Sequence, residues 1–194
     1  MSRHGRASGT EKMKIYFATH NPGKVREMRH ILDGIADLEQ IEIEYSEIQA
    51  EDPRDVARES VRLLAEQYKK PIMVEDSGLF INSLNGFPGV HSAPIHKQIG
   101  LKGILKLMDG IADRSCEYRS AVGYCEPGKE PIVFLGIEKG TIPKAEKGTN
   151  GFGHDSIFMP EGSEKTYAEM DNVEASKKFR RRAVEQLVEW LKER

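Results

Sequence analysis

The sequence predicts an α/β fold built on a mixed sheet. Short apolar runs at Lys14–Thr19 and Pro71–Val74 have the length of buried strands, and helical patterns alternate with them. Two longer strand patterns, Cys116–Cys125 and Pro131–Ile137, lie in succession, joined by the turn signal Glu126-Pro127-Gly128-Lys129. Helices and strands interleave at the start and strands cluster in the middle, which suits a mixed sheet better than a strictly doubly wound one. At 194 residues the chain is long enough to bury a real core and short enough for one domain.

The elements follow in order. Met1–Lys12 has no hydrophobic periodicity and reads as a flexible leader or cloning remnant, with Met13 opening a single domain that runs to Arg194. Lys14–Thr19 is a strand. The polar turn His20-Asn21-Pro22-Gly23 leads into a helix from Lys24 to about Leu32, whose buried face carries Val25, Met28 and Leu32. Ile41–Tyr45 alternates apolar and acidic residues, as a half-exposed strand does. Asp52-Pro53 has the form of a helix start, Asp as N-cap and Pro at the first helical position, for a helix to about Tyr68. Pro71–Val74 is a second buried strand, ending in Glu75-Asp76-Ser77-Gly78. Lys97–Met108 is helical, Gly148–Gly153 is a glycine-rich loop, and a last helix runs from about Glu174 to Lys192 on Leu187, Trp190 and Leu191.

Charge and composition exclude several classes. The 29 Lys and Arg nearly balance 31 Asp and Glu, for a net charge of −2, which argues against a chain-wide polybasic nucleic-acid binder and against an acidic tail. No apolar run reaches ~18 residues, so no membrane partner is expected. Met1–Lys12 lacks the apolar stretch of a secretory signal. Cys116 and Cys125 lie nine positions apart in one strand and would point to opposite faces, so they read as reduced thiols of a cytoplasmic protein. One local exception stands out: Lys177, Lys178, Arg180, Arg181 and Arg182 crowd around Phe179. Such a run is either a solvated helix face or a polyanion site. Five cations within six positions cannot share one helix face, so only some could meet one ligand.

Four further segments could carry chemistry. Thr19-His20-Asn21-Pro22-Gly23-Lys24 falls between a strand and a helix, where backbone N–H groups, a hydroxyl, an amide and a lysine could hold phosphate oxygens; the plainer reading is an ordinary turn. It is not a Walker loop. Glu75 and Asp76 are adjacent in a strand and point to opposite faces, so one could serve a site, holding Mg²⁺ or taking a proton from water, while the other is structural. Glu47 gains interest only as a partner for Asp76 around a hard cation. In Gly148–Asp155, glycines permit close approach, Phe152 and His154 offer flat faces and Asp155 offers an acceptor, a fair recipe for gripping a nucleobase; the plainer reading is a loop with one anchoring aromatic.

Six stretches together resemble the inosine triphosphate pyrophosphatase-like family, which hydrolyses non-canonical purine nucleoside triphosphates. They are Ala18–Met28 (ATHNPGKVREM), Tyr45–Asp52 (YSEIQAED), Val74–Ile81 (VEDSGLFI), Gly86–Ala93 (GFPGVHSA), Gly148–Gly162 (GTNGFGHDSIFMPEG) and Lys165–Met170 (KTYAEM), in the family's order. The resemblance implies an elongated mixed sheet with two α/β lobes and a central active-site cleft, in a homodimer. It implies Mg²⁺-dependent cleavage of ITP, dITP and XTP between the α- and β-phosphates, giving a monophosphate and pyrophosphate. By the family pattern Thr19, Asn21 and Lys24, within the loop His20 to Gly23, would hold the triphosphate. Glu47 and Asp76 would bind Mg²⁺, and Asp76 would also activate water. Ser77 would touch the substrate, and Phe152, Gly153, His154 and Asp155 would form the base pocket. A triphosphate carries about four negative charges near pH 7, which Mg²⁺ and lysines must offset before hydroxide approaches. A pocket that donates to a 6-keto group leaves a buried donor unpaired with ATP, a mismatch that can discriminate by up to ~10⁴.

Two departures bear on selectivity. The family's G-F-G-[YW]-D-P reads Gly-Phe-Gly-His154-Asp155-Ser156 here. In the last helix the family's Ser-His-Arg falls on Lys178-Phe179-Arg180: Arg180 fits, and Phe179 replaces the base-contacting His. The family's Lys falls near Glu174, unless a one-residue gap lets Lys177 serve. Two rival readings follow: the same chemistry with broadened base specificity, and a nucleotide or nucleic-acid binding protein without turnover. The intact Lys24, Glu47 and Asp76 favour an enzyme of small nucleotides over a nucleic-acid partner.

Overall fold

A computed structural model describes residues 13–45 and 48–194. The expected leader, 1–12, and Glu47 lie outside the described residues. Seven strands form one mixed sheet in the order β2-β1-β3-β5-β6-β7, with β4 also on β3. They are β1 (Met13–Ala18), β2 (Ala36–Ile41), β3 (Ile72–Ile81), β4 (Pro88–Gly89), β5 (Ser115–Cys125), β6 (Ile132–Thr141) and β7 (Met159–Pro160). The helices are α1 (Pro22–Leu32), α2 (Pro53–Tyr68), α3 (Ser92–Leu107), α4 (Val173–Ser176) and α5 (Lys178–Lys192). β1 runs parallel to β2 and β3, as helical crossovers require, and β3, β5, β6 and β7 pair antiparallel.

Strand alternation decides which helix covers which face. Ile15, Phe17, Met73, Val122 and Tyr124 turn to α1 and α5, meeting Val25, Met28, Leu32, Ala183, Val184 and Leu187. Val74, Ala121 and Cys125 turn the other way, to Ala57, Val61 and Leu64 of α2. A third cluster packs Leu79, Ile81, Cys116 and Tyr118 with Ile104, Phe158, Tyr167 and Phe179. Cys116 and Cys125 are free and buried on opposite faces, as their odd spacing demands. The α2 start is as its sequence reads: the Asp52 side chain accepts from Arg54 N at 2.9 Å, with Pro53 at the first turn. A cap of this kind contributes about 1 kcal/mol.

Four sequence expectations need correction. β2 is Ala36–Ile41, not Ile41–Tyr45: it follows β1 residue for residue and stops at Ile41 because its partner stops at Ala18. β3 does not end at Val74. It runs on to Ile81 because β5 pairs with all ten of its residues, so Glu75-Asp76-Ser77-Gly78 lies mid-strand. α3 begins at Ser92, five residues early, and is broken at Gly100 by a backbone of φ 63°, ψ −175°. The last helix is two: Lys177 is extended, at φ −72° and ψ 99°, between α4 and α5.

Candidate active site

β3 pairs with β1 through Met73 and with β4 from Leu79. Over residues 74–78 that edge carries no strand among the described residues, and the turn between β1 and α1 opens onto this gap. Asn21 caps α1: its side-chain oxygen accepts from Gly23 N at 2.9 Å and Lys24 N at 3.3 Å, and its own N–H donates to Thr19 Oγ1 at 3.1 Å. Pro22 takes the first helical position, where a missing N–H costs nothing. Lys24 reaches across the gap, donating to the Glu75 carbonyl at 2.9 Å and pairing with Glu75 Oε2 at 2.8 Å. His20 donates through Nε2 to the Ile43 carbonyl at 3.1 Å. Gly23 is required by packing: a Cβ there would stand 2.4 Å from the Phe152 ring. The glycine-rich loop therefore rests on the first turn of α1.

Behind the gap lies a chain of buried charges of alternating sign. Asp155 Oδ2 meets Lys177 Nζ at 2.9 Å, and Lys177 Nζ meets Glu27 Oε1 at 3.0 Å. Glu27 Oε2 takes Arg180 Nη1, and Arg180 Nε meets Glu75 Oε1 at 3.1 Å. Glu75 Oε2 and Lys24 complete it. Three cations face three carboxylates, so the chain is neutral, and all but the Lys24 side chain (19% exposed) are at most 3% exposed. Ser120 Oγ donates to Glu75 Oε1 at 2.5 Å, and Arg180 Nη2 to Ser77 Oγ at 3.3 Å. Burial pushes the Glu75 carboxyl up, but Arg180 and Lys24 outweigh it and hold it well below the usual carboxylate range. Burial raises the Asp155 carboxyl, and Lys177 only partly offsets it. Desolvating six charges costs several kcal/mol per ion before pairing returns it, so such a chain at a cavity points to a functional site more than to stability.

Two cavities meet at this place. One, about 650 Å³, is lined by Thr19, His20, Lys24, Glu44, Tyr45 and Glu75. The other, about 600 Å³, is lined by the turn Thr19 to Pro22 with Lys24, by Ser77, His96 and Tyr118, by Phe152 to Asp155, and by Lys177, Phe179 and Arg180. Thr19, His20 and Lys24 belong to both, so a polar end joins an aromatic end. The site residues expected from sequence thus converge, with three exceptions. Gly23 lines neither cavity and lies beneath the Phe152 ring. Glu47 lies outside the described residues. Asp76 alternates away from Glu75, onto the face of Val74 and Ala121, and lines neither cavity.

The departing residues have specific places. Phe179 is 1% exposed and stacks on Tyr118 at 4.4 Å and 12°. Its backbone N–H and that of Lys178 donate to the buried Glu138 carboxylate, at 3.1 and 2.9 Å. Its side chain is therefore core and brings no polar atom to the cavity. Lys177 Nζ stands 3.9 Å above the Phe152 ring centre, whereas Glu174 pairs with Arg26 at the surface. His154 is 4% exposed; burial and nearby His96 lower its pKa to about 4, so it is neutral at pH 7, and its buried Nε2 has no hydrogen-bond partner among the described residues. Sequence reasoning missed Glu27, His96 and Tyr118. Glu27 had a signal: it sits three residues after Lys24, hence on the same side of α1.

The pattern that defines the Ham1 family matches residues 15–190. A Methanopyrus kandleri protein named dITP/XTP pyrophosphatase is 45% identical over 183 residues, 93% of this chain and 97% of the relative. A Pyrococcus horikoshii protein of the same name is 47% identical over 182 residues, with coverage of 93% and 97%. Among solved structures, the Staphylococcus aureus Ham1 protein superposes with a TM-score of 0.80 at 25% identity, covering 93% of this chain and 98% of that one. A HAM1 protein from Coxiella burnetii gives 0.80 at 27%, covering 94% and 100%.

Proposed function

Because this chain belongs to the Ham1 family, we propose that it is a nucleoside triphosphate pyrophosphatase that cleaves ITP, dITP and XTP to the monophosphate and pyrophosphate. One observation carries the reading: a polar cavity at the capped start of α1 and an aromatic cavity share Thr19, His20 and Lys24, which suits a ligand with a phosphate tail and a flat base. In this reading the α1 N-terminus, Thr19, Asn21 and Lys24 hold the phosphates. Ser77 touches the substrate, and Phe152 to Asp155, Lys177 and Arg180 surround the base. Asp76 accepts the proton of the attacking water. A homodimer in the cytoplasm belongs to the same proposal.

Mg²⁺ is the cofactor this reading calls for. Glu75 is consumed by Arg180, Lys24 and Ser120, and by the family pattern Asp76, with Glu47, would hold the cation. Among the described residues no three His, Cys, Asp or Glu side chains converge, and none need to, since Mg²⁺ is commonly held by one or two carboxylates and the substrate's own phosphates. When bound, it would offset phosphate charge and favour hydroxide.

Phe179 supports a second reading, broadened base specificity, because the cavity lacks the imidazole that the family pattern places there. Two cations of the basic run, Lys177 and Arg180, are buried and paired within the chain, which supports the hydrolase reading over the nucleic-acid one. The test is pyrophosphate release from ITP, dITP, XTP and the four standard nucleotides with Mg²⁺. Release from the 6-keto purines in preference to ATP is expected; none from any nucleotide would end the proposal, and comparable rates with ATP would select the broadened form. Asp76→Asn should abolish turnover with the fold intact, and undiminished activity would remove Asp76 from its role.

A further inference from the structure

We propose that Glu27 is a positioning residue that sets base selectivity by fixing Lys177 and Arg180 relative to each other. The inference rests on the hydrolase reading above and goes beyond it. Glu27 is 2% exposed on α1 and touches no open surface. One of its carboxylate oxygens takes Lys177, and the other takes Arg180. These are the two cations of the basic run that line the aromatic cavity, at 3.9 and 5.9 Å from the Phe152 ring centre. Arg182, by contrast, turns out to the Ile137 carbonyl. Like charges this close repel, and a single bridging carboxylate is what holds them in one arrangement.

Phe179 offers no side-chain donor, so the charged donors of this wall are Lys177 and Arg180. Selectivity for a 6-keto base then depends on how sharply those donors are placed, since an unpaired buried donor is the penalty imposed on ATP. Glu27 also completes the neutrality of the charge chain. Glu27→Gln leaves three cations against two carboxylates, and each cation keeps one partner: Asp155 for Lys177, Glu75 for Arg180. The variant should therefore fold, carry one excess positive charge at the site and hold its donors loosely. Two readouts then move in opposite senses: every triphosphate binds better, and discrimination between bases falls.

The experiment is steady-state kinetics of the full chain on ITP and ATP with Mg²⁺, for wild type, Glu27→Gln and Glu27→Asp, with thermal melting of each. For Glu27→Gln we expect KM to fall by about threefold or more for both nucleotides. The ITP-to-ATP ratio of kcat/KM should fall by about tenfold or more. Glu27→Asp keeps the charge one carbon short, so KM should return toward wild type while the ratio recovers only in part. A merely structural role would lower kcat for both nucleotides alike and leave the ratio unmoved, and that result overturns the proposal. Should the Gln variant fail to fold, the Asp variant decides: an unchanged ratio overturns it. A wild type inert on every nucleotide overturns the hydrolase reading, and this inference with it; an active, selective wild type whose variants keep their selectivity overturns this inference alone.

Discussion

Arg180→Met is the sharpest test of the buried charge chain. The guanidinium touches Glu27, Glu75 and Ser77 and is 2% exposed. Methionine fills much of the space, so the cavity contribution is small, and what is removed is charge. Glu27 keeps Lys177 and Glu75 keeps Lys24, but the chain of six passes from neutral to a net charge of −1 inside the protein. Breaking a buried pair by deleting one partner costs about 3–5 kcal/mol. In a protein of this size that is a fall in Tm of roughly 6–20 °C. The sign with pH follows from Glu75. In the wild type its carboxyl is held below the usual range, so its contribution is present above the unfolded value of 4.5 and is lost as pH falls through the folded one. Without Arg180 a large part of what lowers the Glu75 carboxyl is gone and its folded pKa rises toward the unfolded value, so the variant loses less stability than the wild type as pH falls below 4.5. The penalty should therefore shrink from pH 7.5 to pH 3.5. Urea unfolding at both pH values, followed by fluorescence of the single tryptophan, Trp190, which packs against Tyr124, measures this directly. A loss below about 1 kcal/mol, or one equal at the two pH values, would refute the reasoning.

Two further outcomes are expected. His154, with a folded pKa of about 4 against 6.5, is buried neutral, so its contribution is lost as pH falls from 6.5 toward 4, by up to about 3 kcal/mol; His154→Phe should flatten urea stability over that window, and an unchanged slope would deny His154 this role. In Gly136→Ala the new Cβ would lie 1.8 Å from the Phe179 carbonyl oxygen, forcing α5 off β6 at the turn that carries Arg180; a loss of about 3 kcal/mol and a fall in activity are expected by melting and by turnover, and a neutral substitution would show the contact to be wrongly placed.

Local chemistry was legible in the sequence and long-range consequence was not. Asp52-Pro53 announces α2 because a cap acts within three residues, and Glu126 to Lys129 announces its turn for the same reason. β2 was misplaced because alternation in Ile41–Tyr45 speaks only of local exposure, whereas pairing is set by where β1 begins and ends. The extension of β3 past Val74 was hidden because polar Glu75-Asp76-Ser77 reads as a strand end, and ion pairs from α1 and α5, remote in sequence, are what make Glu75 buriable. Most of the candidate site was found through motifs. Glu27 was not, because a glutamate on a helix looks solvated until Lys177 and Arg180, 150 and 153 positions away, arrive beside it.

The ten-residue pairing of β3 with β5 has a consequence for fidelity. Glu75 and Asp76 are chemically near-identical neighbours with unlike surroundings, and only strand parity tells them apart. A slip of one residue would turn the Glu75 carboxylate toward the apolar wall of α2 and present Asp76 to Arg180. No rotamer change could repair such an exchange. The unbroken ladder from Ile72↔Cys125 to Ile81↔Cys116 therefore decides which of the two carboxylates meets Arg180 and Lys24 and which faces α2.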